Sequence, residues 1–420
     1  MAMKNSNLVA LCVFCYGTAQ VLPRVILLMA TQDILAGTLI QSGIEIILFN
    51  CSDTLARVCS PCLIRKISFL ITIILAGLFW FIAYALFLAA DDVVVRLGGV
   101  CIFGIGNGLA NSVLMLLLGY YDEIDKNSTA FILGQSMSNV LGAFLYTGST
   151  VWQCVSPRTT IAFLLPLGFL IMIFYGILNH GPLKKYQKHE HKDSREYEPL
   201  SLEETQPDKQ DQLQSSDHLQ FFLKVFPLAS YAFVAFFTFY LCVSAVLTTL
   251  TFPSASFRVR DHYQYYRFTS SIGRMFGGIE LMLASRLCPK LSNFVCRNIW
   301  VLVLVHIGHL IFFLFASWNH FVPSVYTILV LCVTLGISTS SITVRALSSA
   351  AECFAKSRDK GTALVITAVG CAMGRLAAGL LGIFVEDYFR RHCTNQLLMG
   401  KFCLARFPYT AGWNKNLDCI

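Results

Sequence analysis

The sequence predicts an all-α polytopic membrane protein, with about 11 transmembrane helices in two bundles. Three observations carry that prediction. Eleven separate stretches are apolar enough to cross a bilayer, each near the roughly 20 residues that a hydrocarbon core demands of a helix. They form blocks of six and five on either side of a polar connector, 181–220, which holds 15 of the 56 formally charged side chains. Only 13% of the residues are charged and 55% are hydrophobic, whereas soluble domains are typically about 25% charged. This balance argues against a soluble enzyme and makes a solute carrier the default function.

In chain order the first block spans 7–29, 35–55, 67–90, 97–118, 130–152 and 161–178. The second spans 222–249, 268–284, 300–316, 325–348 and 364–384. The expected organisation is a six-helix bundle over 1–180, a disordered cytosolic loop over 181–220, a five-helix bundle over 221–390 and a tail over 391–420. No short apolar run with a small-residue cleavage site precedes the first span, so that helix reads as a retained anchor.

The net charge of +8 reads as loop asymmetry, not as nucleic-acid binding, because the basic residues gather at helix ends. With the amino terminus cytosolic, 18 Lys and Arg fall on the cytosolic face and 10 on the other. An odd span count then puts the tail, with Arg390, Arg391, Lys401, Arg406 and Lys415, in the lumen. The sequons at Asn50 and Asn127 fall at a membrane edge and in the cytosol, so neither is expected to carry glycan. Of the sixteen scattered cysteines, Cys12, Cys15, Cys101, Cys242, Cys332 and Cys371 sit within apolar spans, as small hydrophobes. Cys59 and Cys62 make a lone CxxC without a second pair, so no metal and no cofactor are expected. Cys393, Cys403 and Cys419 are placed to pair if the tail faces an oxidising lumen.

The connector begins with Lys184, Lys185 and Lys188, then turns acidic. Within it, Tyr197 and Leu200 fit the tyrosine-plus-bulky-apolar pattern that adaptor proteins read for endosomal and lysosomal sorting. The expected partners are therefore the lipid bilayer, a small polar solute and adaptor proteins at this loop.

Ionisable groups in hydrocarbon need a partner, a water path or a function. Glu45, Arg274, Glu280, Arg345 and Arg375 all lie within spans. Arg274 is the strongest anion-binding candidate; the rival reading for each is an ion pair or snorkelling to the interface. His306 and His309 share a helix face and are candidates for pH sensing, against the plainer reading of two hydrogen-bonded histidines. Gly370, Gly374, Ala378 and Gly382 recur every four residues, which allows a neighbouring helix to approach closely. Gly104, Gly106 and Gly108 crowd the fourth span in the same way.

Several pieces, taken in order, carry a family resemblance. They are Asp33-Ile34-Leu35, then Gly108-Leu109 with Tyr120 and Tyr121, then Tyr263-Gln264-Tyr265-Tyr266-Arg267, and Phe321-Val322-Pro323-Ser324-Val325-Tyr326. Gly336 and Gly379-Leu380-Leu381 complete the set. Over about residues 7–390 the chain resembles the battenin family of lysosomal membrane proteins linked to Batten disease. The resemblance implies a major-facilitator-like fold in a lysosomal or vacuolar membrane. It also implies roles in lysosomal pH, in basic amino acid balance and in clearing glycerophosphodiesters. Departures from the family pattern are Asn111 in place of an acid in the fourth span, Phe239 in place of a glutamate and Cys371 near an expected aspartate. The first inter-span loop is contracted, and Leu417 stands where a prenylated cysteine would be.

The function expected is thus a battenin-type carrier working by alternating access, with Asn111, Arg274 and Arg345 as polar contacts. The rivals are an equilibrative nucleoside transporter and a non-transporting scaffold acting through its loop. An intramembrane enzyme is disfavoured, because no nucleophile is spaced to the His306–His309 pair.

Overall fold

A computed structural model of the protein describes residues 2–118, 124–178, 208–287, 298–353, 357–406 and 409–416. Side chains within residues 2–6, 61–62, 65–66, 124–125, 128, 208–220, 281–287, 351–352 and 357–362 are outside the description. Eleven long helices follow one another among the described residues. They are α1 (Ala2–Ile34), α2 (Ser42–Lys66), α3 (Phe69–Ala89), α4 (Val93–Leu118), α5 (Ile124–Thr147) and α6 (Pro157–Ile177). Then come α7 (Asp208–Leu241), α8 (Val259–Leu287), α9 (Ile299–Asn319), α10 (Val325–Glu352) and α11 (Ser357–Asn395). Single π turns extend α5 through Gly148–Trp152 and α7 through Cys242–Val246.

Eight of the eleven are apolar enough along their length to cross a membrane on composition alone; α2, α5 and α8 are not. Each of those three carries buried or half-buried polar residues, Glu45 and Asp53 on α2, Gln135 and Ser138 on α5 and Arg267 and Arg274 on α8, which dilute its hydropathy. The part of the connector after Pro207 is helical, so α7 begins at Asp208, well before the apolar run. Tyr197 and Leu200, and Tyr120 and Tyr121, lie outside the described residues.

Two apolar cores organise the helices. Tyr16, Ile26, Trp80, Phe103, Phe131 and Ile171 belong to the core of α1–α6. Phe239, Val246, Phe313, Ile328, Leu335 and Phe389 belong to that of α7–α11. Small residues set the closest helix approaches. Gly104 and Gly108 of α4 face Ser52 and Asp53 of α2, while Gly106 faces Trp80 of α3. On α11, Gly370 and Gly374 lie against the backbone of α7 at Ala229 and Phe233, Ala378 is buried and Gly382 touches Ala245. The bundles meet where Gly43 of α2 lies on Gly379 of α11 and where Gly278 of α8 lies on Ser136 of α5.

The loops after α1, α3, α5, α7 and α9 share one face with the tail, as eleven crossings require. Two buried charged side chains anchor that face. Asp33, at the end of α1, receives two hydrogen bonds from Arg260 of α8 at 2.7 and 2.8 Å and one from Tyr146 of α5 at 2.7 Å. Arg406 of the tail donates to Gln32 Oε1, to the carbonyls of Thr38 and Ile40, to Ser42 and to Glu386 of α11. Burial lowers the pKa of Arg406 and Glu386 beside it opposes that shift, so these partners keep a guanidinium charged in the interior. A disulfide, Cys393–Cys403, ties the tail back to α11, and Cys154 is also disulfide-bonded. Gly37 has φ +77°, and a Cβ there would lie 2.3 Å from Thr410 N, so the turn after α1 admits the tail only as glycine. Every described hydrogen bond and ion pair that joins the two bundles lies toward this face.

The close helix contacts and the buried pair can each be tested by substitution. Gly374→Val, whose Cβ would lie 2.4 Å from Phe233 O, should destabilise by about 1–3 kcal/mol or more, whereas Gly98→Ala, facing open space, should not. Thermal melts of the detergent-purified proteins measure the difference. Arg260→Met should cost about 3–5 kcal/mol by leaving Asp33 buried and unpaired, and adding Asp33→Leu should recover part of that loss. A double variant no more stable than Arg260→Met alone would mean that the pair does not act as a unit.

Candidate functional site: an arginine cluster between the bundles

α1, α2, α7, α8 and α11 bring their polar residues to one place. Arg24 comes from α1 and Arg375 from α11. Arg267 and Arg274 lie two turns apart on one face of α8. Each guanidinium rests on an aromatic ring: Arg24 on Phe49 at 5.0 Å, Arg375 on Phe236 at 5.2 Å and Arg274 on Phe239 at 5.3 Å. Arg267 lies over Tyr263 at 5.5 Å and Tyr240 at 5.9 Å. All four act electrostatically on the hydroxyl of Tyr240, which marks the centre of the cluster.

The balance of charge in the cluster is uneven. Arg267 donates to Tyr263 and Ser244. Arg24, Arg274 and Arg375 take part in no described hydrogen bond or ion pair, and the Nε atoms of Arg274 and Arg375 are buried without a partner among the described residues. Two guanidiniums on the order of 8 Å apart repel by about 2 kcal/mol at an effective dielectric near 20. The opposing charge comes from α2, where Glu45 and Asp53 lie eight residues apart on one face. Asp53 is buried and accepts from Arg57 at 2.9 and 3.2 Å and from Asn107 at 2.7 Å, and Asn107 in turn accepts from Gln20. Asp53 also feels Arg24 and Arg375, while Glu45 feels Arg267 and Arg24. Four arginines thus face two carboxylates, one of them already engaged by Arg57. An excess of forked donors in the protein interior is suited to a phosphate or carboxylate guest.

Of the residues singled out from sequence, Arg274, Arg375 and Glu45 stand in this cluster. Asn111 is buried one turn along α4 from Asn107, and no described hydrogen bond joins it to the arginines. Glu280 and Arg345 pair with each other at 2.7 Å, and Ser341 also donates to Glu280, so both serve the α8–α10 contact. The ion-pair alternative describes them. His306 is buried between Ser338 (2.7 Å) and the carbonyl of Ala235 (3.0 Å). His309 bridges the Val305 carbonyl and Thr334. Both rings have partners at both nitrogens, which is the hydrogen-bonded alternative to a sensor. Asn50 and Asn127 are both buried.

Sequence reasoning passed over Arg24, Asp53 and Tyr240. Arg24 carried a usable signal, a lone cation inside an apolar span. Asp53 fell at the expected end of the second span, and only the full length of α2 places it deep in the bundle. Phe239, read as a lost acid, supplies the ring beneath Arg274.

A cavity of about 700 Å³ opens on the tail face among Thr38, Phe257, Arg260, Arg390, Lys401 and Arg406, and none of the four clustered arginines lines it. Arg260, the partner of Asp33, is part of its wall.

Solved structures with this architecture are membrane transporters. A bacterial homologue of the human lysosomal transporter Spinster, in an inward-facing and unoccupied conformation, superposes with a TM-score of 0.61 at 15% identity. That match covers 98% of this chain and 93% of the other. The nucleoside transporter NupG gives 0.56 at 14% identity, over 96% and 94% of the two chains. A D-xylose-proton symporter gives 0.56 at 13% identity, over 96% and 98%. These likenesses establish a major-facilitator-like fold. Protein btn-1 of Neurospora crassa is 23% identical over 412 residues, covering 86% of this chain and 84% of the relative. The family model described as CLN3 protein matches residues 12–392, and the chain therefore belongs to the battenin (CLN3 protein) family of membrane proteins.

Proposed function

We propose that this membrane transporter carries small organic anions, of the glycerophosphodiester type, out of a lysosomal or vacuolar lumen by alternating access, and so contributes to lumenal pH balance. The observation that carries the reading is the cluster of Arg24, Arg267, Arg274 and Arg375 between the bundles. A singly charged phosphodiester offers paired oxygens to two guanidinium forks and relieves their mutual repulsion. A basic amino acid would add a cation to that cluster, so of the two solute classes implied by the family resemblance the anionic one fits. A neutral nucleoside would leave buried guanidinium groups without charge compensation.

Two independent features support the orientation. Loop charge favours a cytosolic amino terminus, and eleven crossings then put the tail in the lumen. The Cys393–Cys403 disulfide suits an oxidising, non-cytosolic compartment. The connector is then cytosolic, where adaptor proteins have access to Tyr197 and Leu200.

Arg274→Ala should abolish glycerophosphodiester export while protein level and localisation stay normal. The check is metabolite profiling of purified lysosomes or vacuoles carrying wild type, Arg274→Ala or no protein. Wild-type clearance of glycerophosphodiesters by the variant would remove Arg274 from the role, and clearance of labelled uridine alone would favour a nucleoside carrier.

A further inference from the structure

Glu45 is poorly provided for as an ion. Its side chain is 0% exposed, and no described Arg or Lys nitrogen lies within ion-pair distance of it. Among the described residues Oε1 has no hydrogen-bond partner, and Oε2 has one polar neighbour, Thr31 Oγ1 at 3.3 Å. Thr31 has a single hydroxyl proton, and the Leu28 carbonyl accepts it at the shorter distance of 2.9 Å. The Glu45 carboxyl is thus left with a long, shared claim on one hydroxyl proton that is already drawn to the Leu28 carbonyl.

The surroundings of Glu45 are defined on each side. α1 contributes Arg24 and Thr31, and α8 contributes Arg267 and Tyr263, whose hydroxyl accepts from Arg267 Nε. α11 offers the Gly379 backbone and Ile383 to the neighbouring Gly43. The next carboxylate toward the tail, Glu386, is occupied by Ser42 and Arg406. Asp53, two turns the other way, is held by Arg57 and Asn107. Arg24 and Arg267 are thus the cations that respond to the charge of Glu45, and both belong to the anion cluster.

We propose that Glu45 is the proton-binding residue of this carrier, protonated while Arg24 and Arg267 hold a substrate anion and ionised when they do not. The inference rests on the anion-carrier reading above. The charges balance. One proton converts the carboxylate to a neutral carboxyl, and one phosphodiester charge replaces the charge removed. The loaded cleft, with a neutral Glu45 and a bound anion, has the same net charge as the empty cleft with an ionised Glu45. Both therefore cross the same electrostatic barrier when the bundles rock. An anion without its proton would leave two negative charges competing for the same guanidinium groups. An acidic lumen supplies the proton together with the solute, and release into a neutral cytosol returns both.

The test uses the full-length protein in liposomes, with radiolabelled glycerophosphoinositol as the probe and an entrapped pH dye. Wild type should accumulate the probe at least about tenfold faster from pH 5.5 than from pH 7.5 on the loading side, with one proton moved per anion. Glu45→Gln, fixed in the neutral form, should lose gradient-driven accumulation and dye response yet retain exchange of labelled for unlabelled probe at equal pH. That exchange also shows that the variant is folded. Glu45→Asp should keep partial coupling. Proton-driven accumulation by Glu45→Gln would overturn the proposal while leaving the anion reading intact. No glycerophosphoinositol flux in wild type at any pH would remove the anion reading, and this inference with it.

Discussion

Four guanidinium groups within the thickness of a bilayer are an electrostatic load that the surrounding helices have to answer. Each arginine is set on an aromatic ring, Phe49, Phe236, Phe239 or the Tyr240–Tyr263 pair, whose negative face returns part of the lost hydration. α2 supplies the opposing charge and is accordingly the least apolar helix of its bundle's interior, too polar to register as a span on hydropathy alone. Its residence there depends on α4, where Gly104 and Gly108 let it approach closely and Asn107 steadies Asp53. The glycine-rich fourth helix and the arginine cleft are thus two parts of one arrangement.

The contacts between the bundles are of two kinds. Along α2–α11 and α5–α8 they are made by small residues against backbone, at Gly43, Gly379 and Gly278, with little polar commitment. On the tail face they are polar and directional: the Asp33–Arg260 pair, Gln264 on Met29 and the tail through Arg406. Smooth surfaces tolerate sliding, whereas a buried bidentate ion pair has a formed and a broken arrangement. That difference gives the molecule one face that is sealed by specific bonds and an opposite face without described bonds of that kind.

The eleven helices were legible because hydrocarbon imposes a length on every apolar run, and the small-residue stripe on α11 was legible because its spacing is a helical repeat. Arg274 was legible as a charge without an in-span partner. Much of the site was not. Glu280 and Arg345 are 65 residues apart, and no local pattern announces that they meet. Arg24 meets Arg375 only through the fold, and Asp53 needed the true end of α2, beyond the apolar window, to be placed inside the protein. The tail was the largest surprise. Arg406 is buried among carbonyls and Glu386, and Arg390 and Arg391 are paired with Asp387, so much of that charge is locally answered.

The same accounting separates the two acidic residues of α2. Asp53 accepts three hydrogen bonds and stands beside Arg57, so it is provided for as an ion whether or not the cleft holds a guest. Glu45 has one long contact and an orphan oxygen, so its ionised form depends on Arg24 and Arg267 being free to attend to it. A fixed carboxylate sets the baseline potential of the cleft, and a conditional one makes that potential depend on occupancy. In this fold the difference comes down to donors: Arg57 and Asn107 serve Asp53, while Glu45 has only a distant share of the Thr31 hydroxyl.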